Sequence, residues 1–363
     1  LHDRINLTVE WYKKTSSDML MPLQLPSYMG TSGNASSALA APKGNYGDIE
    51  NTGFEISLNT HPITGKFEWD SDFQISFNKN KLKGLAGTAN AQIVGYGQWT
   101  DVVSVSSVGE SLYNFYGFVC DGVYKDLEDL QTSPKPAKYP ANGVFDRTNT
   151  VWVGDVKYKD ISGPDGVPDG VIDDYDKTNI GSPMPKFTFG WTNTFRYKNF
   201  DLSVFINGSY GNKVYNYLSM KLTHMNSPWT NQLNAVNGRA QLVPINPNKV
   251  YEDGTMWYND VSNVMVANPG ASIPRATIND PNDNDRISDR YIEDSSYIRL
   301  KNISLGYTFP KKTIDKLGLS NLRIYANIQN LLTITGYDGY DPEIGASTSS
   351  VNVYGLDNGR YPS

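Results

Sequence analysis

The stretch Asp160–Asp176, DISGPDGVPDGVIDDYD, sets six carboxylates and three glycines within one short run. Oxygen ligands at positions 1, 3, 5, 7, 9 and 12 of a loop, with glycine at 6, hold calcium. Starting the count at Asp165 puts Asp169 at 5, Gly170 at 6, Asp173 at 9 and Asp176 at 12. Ile172 then stands at 8 as an apolar anchor, whereas Val167 occupies a ligand position and Asp176 is shorter than the usual bidentate Glu. A start at Asp160 would require GPDGV to bulge out. Two readings follow: a Ca²⁺ site on Asp165, Asp169, Asp173 and Asp176, or a solvated acidic turn whose like charges are screened by water.

Other chemistries find less support. A glycosidase pair needs two carboxylates held about 5–10 Å apart across a cleft by rigid elements, which neighbouring loop aspartates do not provide. There is no G-x-S-x-G elbow, P-loop or G-x-G-x-x-G, so no enzyme activity is expected. The single cysteine, Cys120, rules out an internal disulfide and reads as a packed thiol. His2, His61 and His224 are scattered and form no zinc pattern. The better candidates for ligand or partner contact are loop aromatics: Trp229 in NSPWTNQ, and Tyr251, Trp257 and Tyr258 in YEDGTMWYND. Exposed rings stack on sugars or enter a partner's pockets. The competing reading is that they pack the interior of their own long loop.

Composition narrows the class. A net charge of −6 argues against nucleic acid. Aromatics make up 12% of the chain, with 24 Tyr against 13 Phe. Rings with one wet end suit interfaces, sugar-binding surfaces and membrane girdles. No apolar run reaches the ~20 residues of a membrane helix. The chain opens on LHDRINLTVEWYKK, already strand-like, as though within a larger protein.

Elements that could position these groups are strands. Alternation of period two runs through Ile5–Trp11, Phe54–Leu58, Phe67–Phe77, Phe187–Tyr197, Phe200–Ile206, Ile298–Phe309 and Leu322–Ile328. In the sixth segment the phase slips between Leu300 and Ile303, which predicts a bulge near Lys301 and Asn302. Short connections (THPITGK, YKNF, PKKTIDKLGLSN) alternate with long ones at about 15–51, 79–185 and 208–295. That is the pattern of a transmembrane β-barrel, with short periplasmic turns and long extracellular loops. The expected fold is all-β: antiparallel strands of one large transmembrane β-barrel domain spanning 1–363. It is expected to be incomplete, the C-terminal part of the barrel with its last strand missing. The inward residues Glu68, Arg196, Arg299 and Arg323 would line the lumen and contact a plug. Trp11, Trp69, Trp191 and Tyr197 would face lipid as girdles.

Several stretches resemble the C-terminal part of SusC/RagA-like TonB-dependent outer-membrane transporters. They are NTGFEISL, SLYNFYGFVCDGVYK, the block GDVKYKDISGPDGVPDGVIDDYDKTNIGSPMPKFTFGW, SYIRLKNISLGYTFP, and LRIYANIQNLLTITGYDGYDPE. They follow one another in the family's order across most of 51–345, while 210–290 carries little of its signal. The resemblance implies a barrel of ~22 strands with an N-terminal plug in the bacterial outer membrane. It also implies TonB-dependent uptake of oligosaccharides or peptides, and a SusD-like surface lipoprotein as lid. The plug and the TonB-contacting box are not among these residues. The alternative from the residues alone is a soluble all-β carbohydrate-binding or adhesion module.

Overall fold

The computed structural model describes residues 4–22, 42–85, 91–97, 101–136, 144–345 and 352–359. His2 and residues 23–41 of the first long connection lie outside them.

Seven strands make one antiparallel sheet in sequence order. They are β1 (Ile5–Pro22), β2 (Lys43–Ile63), β3 (Phe67–Leu85), β4 (Phe187–Tyr197), β5 (Phe200–Tyr210), β6 (Tyr297–Thr308) and β7 (Arg323–Thr335). Every segment read from alternation falls on one of them, with Phe309 and Leu322 one residue outside β6 and β7. β1, β2 and β3 run well past the expected loop boundaries, because backbone pairing continues where the apolar alternation stops. The β1–β2 ladder reaches Pro22↔Lys43 through two irregularities around Met19. In the β4–β5 hairpin Lys198 takes a φ of 53°, the left-handed region that a two-residue hairpin turn demands. The bulge falls where the phase slip placed it. Phe205 faces Asn302 and Ile206 faces Leu300, leaving Lys301 as the extra residue. On the other side, β7 absorbs its own irregularity between Gln329 and Leu332, where Asn330 has a φ of 51°.

One face of the sheet is apolar and open. Direct cross-strand partners share a face, and the registers align aromatics into two rows. The loop-side row runs Trp11, Phe54 and Phe77 across β1–β3. It continues through Phe187, whose ring lies 5.6 Å from Phe77, to Tyr210, 5.2 Å further on. The turn-side row runs Phe67, Tyr197, Phe200 and Tyr307, with Trp69 stacked on Phe195 just inside it. On β3, β4 and β5 the two rows are ten residues apart: Phe67 and Phe77, Phe187 and Tyr197, Phe200 and Tyr210. Ten residues span ~33 Å along a strand. Tilted by about 40°, that is ~25 Å of height, the thickness of a barrel's lipid-facing band. Trp11, Trp69 and Tyr197 lie at or beside these rows, whereas Trp191 lies between them, opposite Phe73.

The long connections fold into a cap. Val123, Tyr124, Leu130, Val151, Trp152 and Val153 from the β3–β4 connection pack with Ala240, Val264, Val266 and Ala271 from the β5–β6 connection. A second core joins Val103 and Phe115 to Tyr215, Tyr217, Met220 and Tyr291, and to Val353 and Leu356 beyond β7. The largest fully buried side chains, Trp152, Tyr124, Tyr158 and Tyr215, are all in this cap and none is in the sheet.

Candidate functional site

The opposite face of the sheet is polar and charged. Near the short turns, Arg196 on β4 reaches Asp70 (2.5 Å) and Glu68 (3.6 Å) on β3, and His61 on β2 meets the same Asp70 at 2.5 Å. Arg323 on β7 reaches Asp201 on β5 at 2.6 Å, across β6. It passes over Gly306, where a Cβ would collide with both side chains. At the loop end Arg299 is buried, held by Asp341 (2.5 Å), Glu343 (2.9 Å) and Thr333 (2.9 Å). Lys301, set on the same side by the bulge, also reaches Glu343 at 3.0 Å. Glu68, Arg196, Arg299 and Arg323 thus share the polar face, as alternation predicts, and each is paired.

The cap holds a buried polar chain of longer reach. Arg275 and Asp155 form a two-point ion pair (Nε–Oδ1 2.7 Å, Nη2–Oδ2 3.2 Å) that is 2% and 0% exposed. Asp155 also accepts the Trp152 backbone N–H and the Asn284 amide. Asn284 donates to Asp280 and accepts the Val156 N–H. Asp280 in turn meets His224 Nε2 at 2.7 Å, and His224 Nδ1 meets Asp285 at 3.1 Å. His224 stands at the C-terminal end of helix α1 (Tyr217–Thr223). Burial opposes a charge on the ring, but the hydrogen bonds to Asp280 and Asp285 outweigh it and push His224 up to about 9. Burial likewise raises Asp285, and the His224 contact overcomes it, holding that carboxyl below its usual range. The ligand atoms of His224, Asp280 and Asp285 lie within 4.8 Å of one another. Each ring nitrogen faces a different carboxylate, so the ring bridges two charges, and one ion could not engage both nitrogens. In the sequence His224 is one of three scattered histidines. Its partners lie 56 and 61 residues on, and the available signal was the Asp/Asn run NDPNDND, whose Asp280 and Asp283 adopt left-handed turns.

The acidic stretch folds its carboxylates back onto its own backbone. Asp176 is fully buried and spends both oxygens on backbone N–H groups, those of Ile161 (2.8 Å), Ser162 (3.2 Å) and Asp173 (2.9 Å). Asp173 caps the short helical turn Asp174–Asp176 by accepting from Tyr175. Asp169 accepts from Val171, and Asp160 accepts from Gly170. Gly166 and Gly170 supply positive φ values of 77° and 86°. Ile172 is buried against Phe118, Val156 and Tyr158, so the expected apolar anchor does anchor the loop. Among the described residues, Asp165, Asp169, Asp173 and Asp176 are not gathered into a common ligand cluster. The carboxylates replace missing backbone partners and make the turn rigid.

The loop aromatics divide. Trp257 packs on the first cap core. Tyr258 lies edge-on to Trp257 at 5.7 Å, with the Arg147 guanidinium 4.8 Å from its own ring. The Tyr251 hydroxyl donates to Asp260 and accepts from Asn263. These three knit the loop. Trp229 stands apart, 92% exposed. Cys120 is half-buried, and burial pushes its thiol up to about 12, which leaves it unreactive at neutral pH.

No family model matches the chain. Among curated proteins it is 31% identical over 368 residues to TonB-dependent receptor P3 of Formosa agariphila, covering 99% of this chain and 31% of that protein. It is 26% identical over 366 residues to TonB-dependent receptor SusC of Bacteroides thetaiotaomicron, covering 100% of this chain and 29% of that protein. The chain therefore spans about a third of the length of the curated relatives it matches. Among solved structures, that of the RagAB peptide transporter superposes with a TM-score of 0.65 at 18% identity, over 100% of this chain and 32% of that one. That likeness establishes the fold, an all-β run of antiparallel strands joined by structured loops. Over its whole length, then, the chain is SusC-like, a homologue of one stretch of the TonB-dependent receptors.

Proposed function

We propose that the chain forms wall and loop cap of a bacterial outer-membrane importer that takes up oligosaccharides or peptides. TonB supplies the energy, and a SusD-like surface lipoprotein closes over the cap. The observation that carries this reading is the pair of aromatic rows ten residues apart on an open apolar face. Leu7, Val9, Trp11, Leu305, Ile324, Ile328 and Leu332 are each about half exposed or more on that face. A soluble module would have to cover so large an apolar surface; a bilayer leaves it as it is. The paired charges of the other face suit a water-filled or plugged lumen. The peptide cargo named for RagAB and the sugar-stacking capacity of exposed aromatics keep both cargo classes in view.

In this mechanism the wall does no chemistry. Its ion pairs hold neighbouring strands in register, and the cap offers a rigid rim on which a lid can seat. The test is fractionation of cells expressing the full receptor, followed by growth of a deletion strain on glycans or peptides as sole carbon source. Recovery in the outer membrane, heat-modifiable migration and a cargo-specific growth defect are expected. Recovery as a folded monomer without detergent would overturn the reading in favour of a soluble module. Co-purification of a surface lipoprotein tests the lid.

A further inference from the structure

Just outside the loop-side aromatic row, the outward face turns basic. Lys13 lies two residues beyond Trp11 on β1, and Lys79, Lys81 and Lys83 follow Phe77 at every second position of β3. All four are exposed, while Asn80 and Leu82 between the β3 lysines are buried on the other face. Lys186 precedes Phe187, and its ammonium lies 5.9 Å from the Tyr210 ring centre. Glu50 answers two of the five, Lys13 at 3.1 Å and Lys83 at 3.8 Å. Lys79, Lys81 and Lys186 have no ion pair among the described residues. A shallow pocket of about 240 Å³ lies here, lined by Trp11, Phe54, Phe77, Lys79 and Lys186 among others. Apolar rings line it together with the side chains of Lys79 and Lys186.

We propose that this pocket and its lysine rim bind the phosphate headgroup of an anionic lipid in the leaflet on the long-loop side. The depth selects the occupant. Two residues past the aromatic row is ~7 Å along the strand, the level at which headgroups meet the interfacial aromatics. Ammonium groups at that level attract lipid phosphates, while the rings contact the upper acyl chains. An acidic soluble partner would instead need charge higher on the cap. The inference rests on the outward face being lipid-facing.

The experiment titrates the intact receptor carrying this chain, in dodecyl maltoside, with phosphatidic acid or phosphatidylcholine, and counts bound lipid by native mass spectrometry. The expected result is preferential retention of phosphatidic acid. In a K79Q/K81Q/K186Q variant its binding weakens roughly fivefold per lysine, on the order of a hundredfold in all, with phosphatidylcholine unchanged. K66Q/K198Q, at the short turns, should leave binding intact. Equal binding of both lipids, or equal binding by wild type and the triple variant, overturns the proposal. So does complete displacement by millimolar inorganic phosphate, which would mark a free-anion site. Heat-modifiable migration, measured in parallel, reports whether the lipid-facing reading holds irrespective of the lysines.

Discussion

In the sheet, each outward side chain has its neighbours fixed by a ladder. Phe54 lies between Trp11 and Phe77, and Phe200 lies between Tyr197 and Tyr307. In the cap, contacts are made over long distances in the chain. Asp155 and Arg275 are 120 residues apart, and Asn284 donates to Asp155 across 129. Between its aromatic rows the wall leaves its apolar residues open and keeps its charges on the other face. The cap buries Trp152 and Tyr215 completely and buries an ion pair with them. On the proposed reading, one polypeptide meets two solvents. A strand in lipid is complete once its backbone is paired, whereas a loop in water must close over a core of its own.

That contrast is open to direct attack. The largest effect is expected for Arg275→Ala, which strands Asp155 without its partner. Breaking a buried pair costs about 3–5 kcal/mol, so the cap should become protease-sensitive while the wall keeps its heat-modifiable migration. Loss of both together would mean that the two regions fold as one unit. Val204→Arg, midway between the aromatic rows, acts on the wall alone. A charge on the lipid face near the midplane costs about 2–4 kcal/mol, and insertion into vesicles should fall. Ser203→Arg, on the polar face, should insert normally; equal effects from the two would undo the assignment of faces.

His224→Gln is a milder probe. The ring's folded pKa is raised to about 9, above the ordinary 6.5. Its contribution is therefore fully present below about pH 6.5 and is lost as pH rises through about 9. Wild-type cap stability, followed by thermal melts of the cap, should decline across that window. The variant should start lower, by roughly 1.5–3 kcal/mol for lost charged hydrogen bonds, and show a flatter profile. An unchanged profile would show that the ring is not a charged bridge. The smallest effect on stability is expected for Trp229→Ala, within about ±0.5 kcal/mol, because the ring touches little. A marked fall in lid or cargo binding with stability unchanged would identify Trp229 as a contact residue, unlike Trp257, whose loss should loosen the core.

How far the sequence could be read follows the same division. The wall was legible because alternation is a relation between residues two apart. It marked all seven strands, the bulge at Lys301 and the face shared by Glu68, Arg196, Arg299 and Arg323, though not their pairing. It stopped short on β1–β3, where Thr15–Pro22 and Lys43–Asn51 pair by backbone without an alternating pattern. The acidic stretch was half legible. Its turns and the Ile172 anchor could be read, but its carboxylates meet N–H groups that no ligand spacing reveals.

By itself, then, the sequence determined the class of fold, the two faces of each strand and the alternation of short and long connections. All of these depend on local period and turn chemistry. Only the tertiary structure decided that Asp176 is a buried brace, that Trp257 is core while Trp229 is free, and that His224 bridges two aspartates. The reason is physical. Which side chains meet across a connection of some hundred residues depends on how that connection closes over its own core, and no short-range period records that closure.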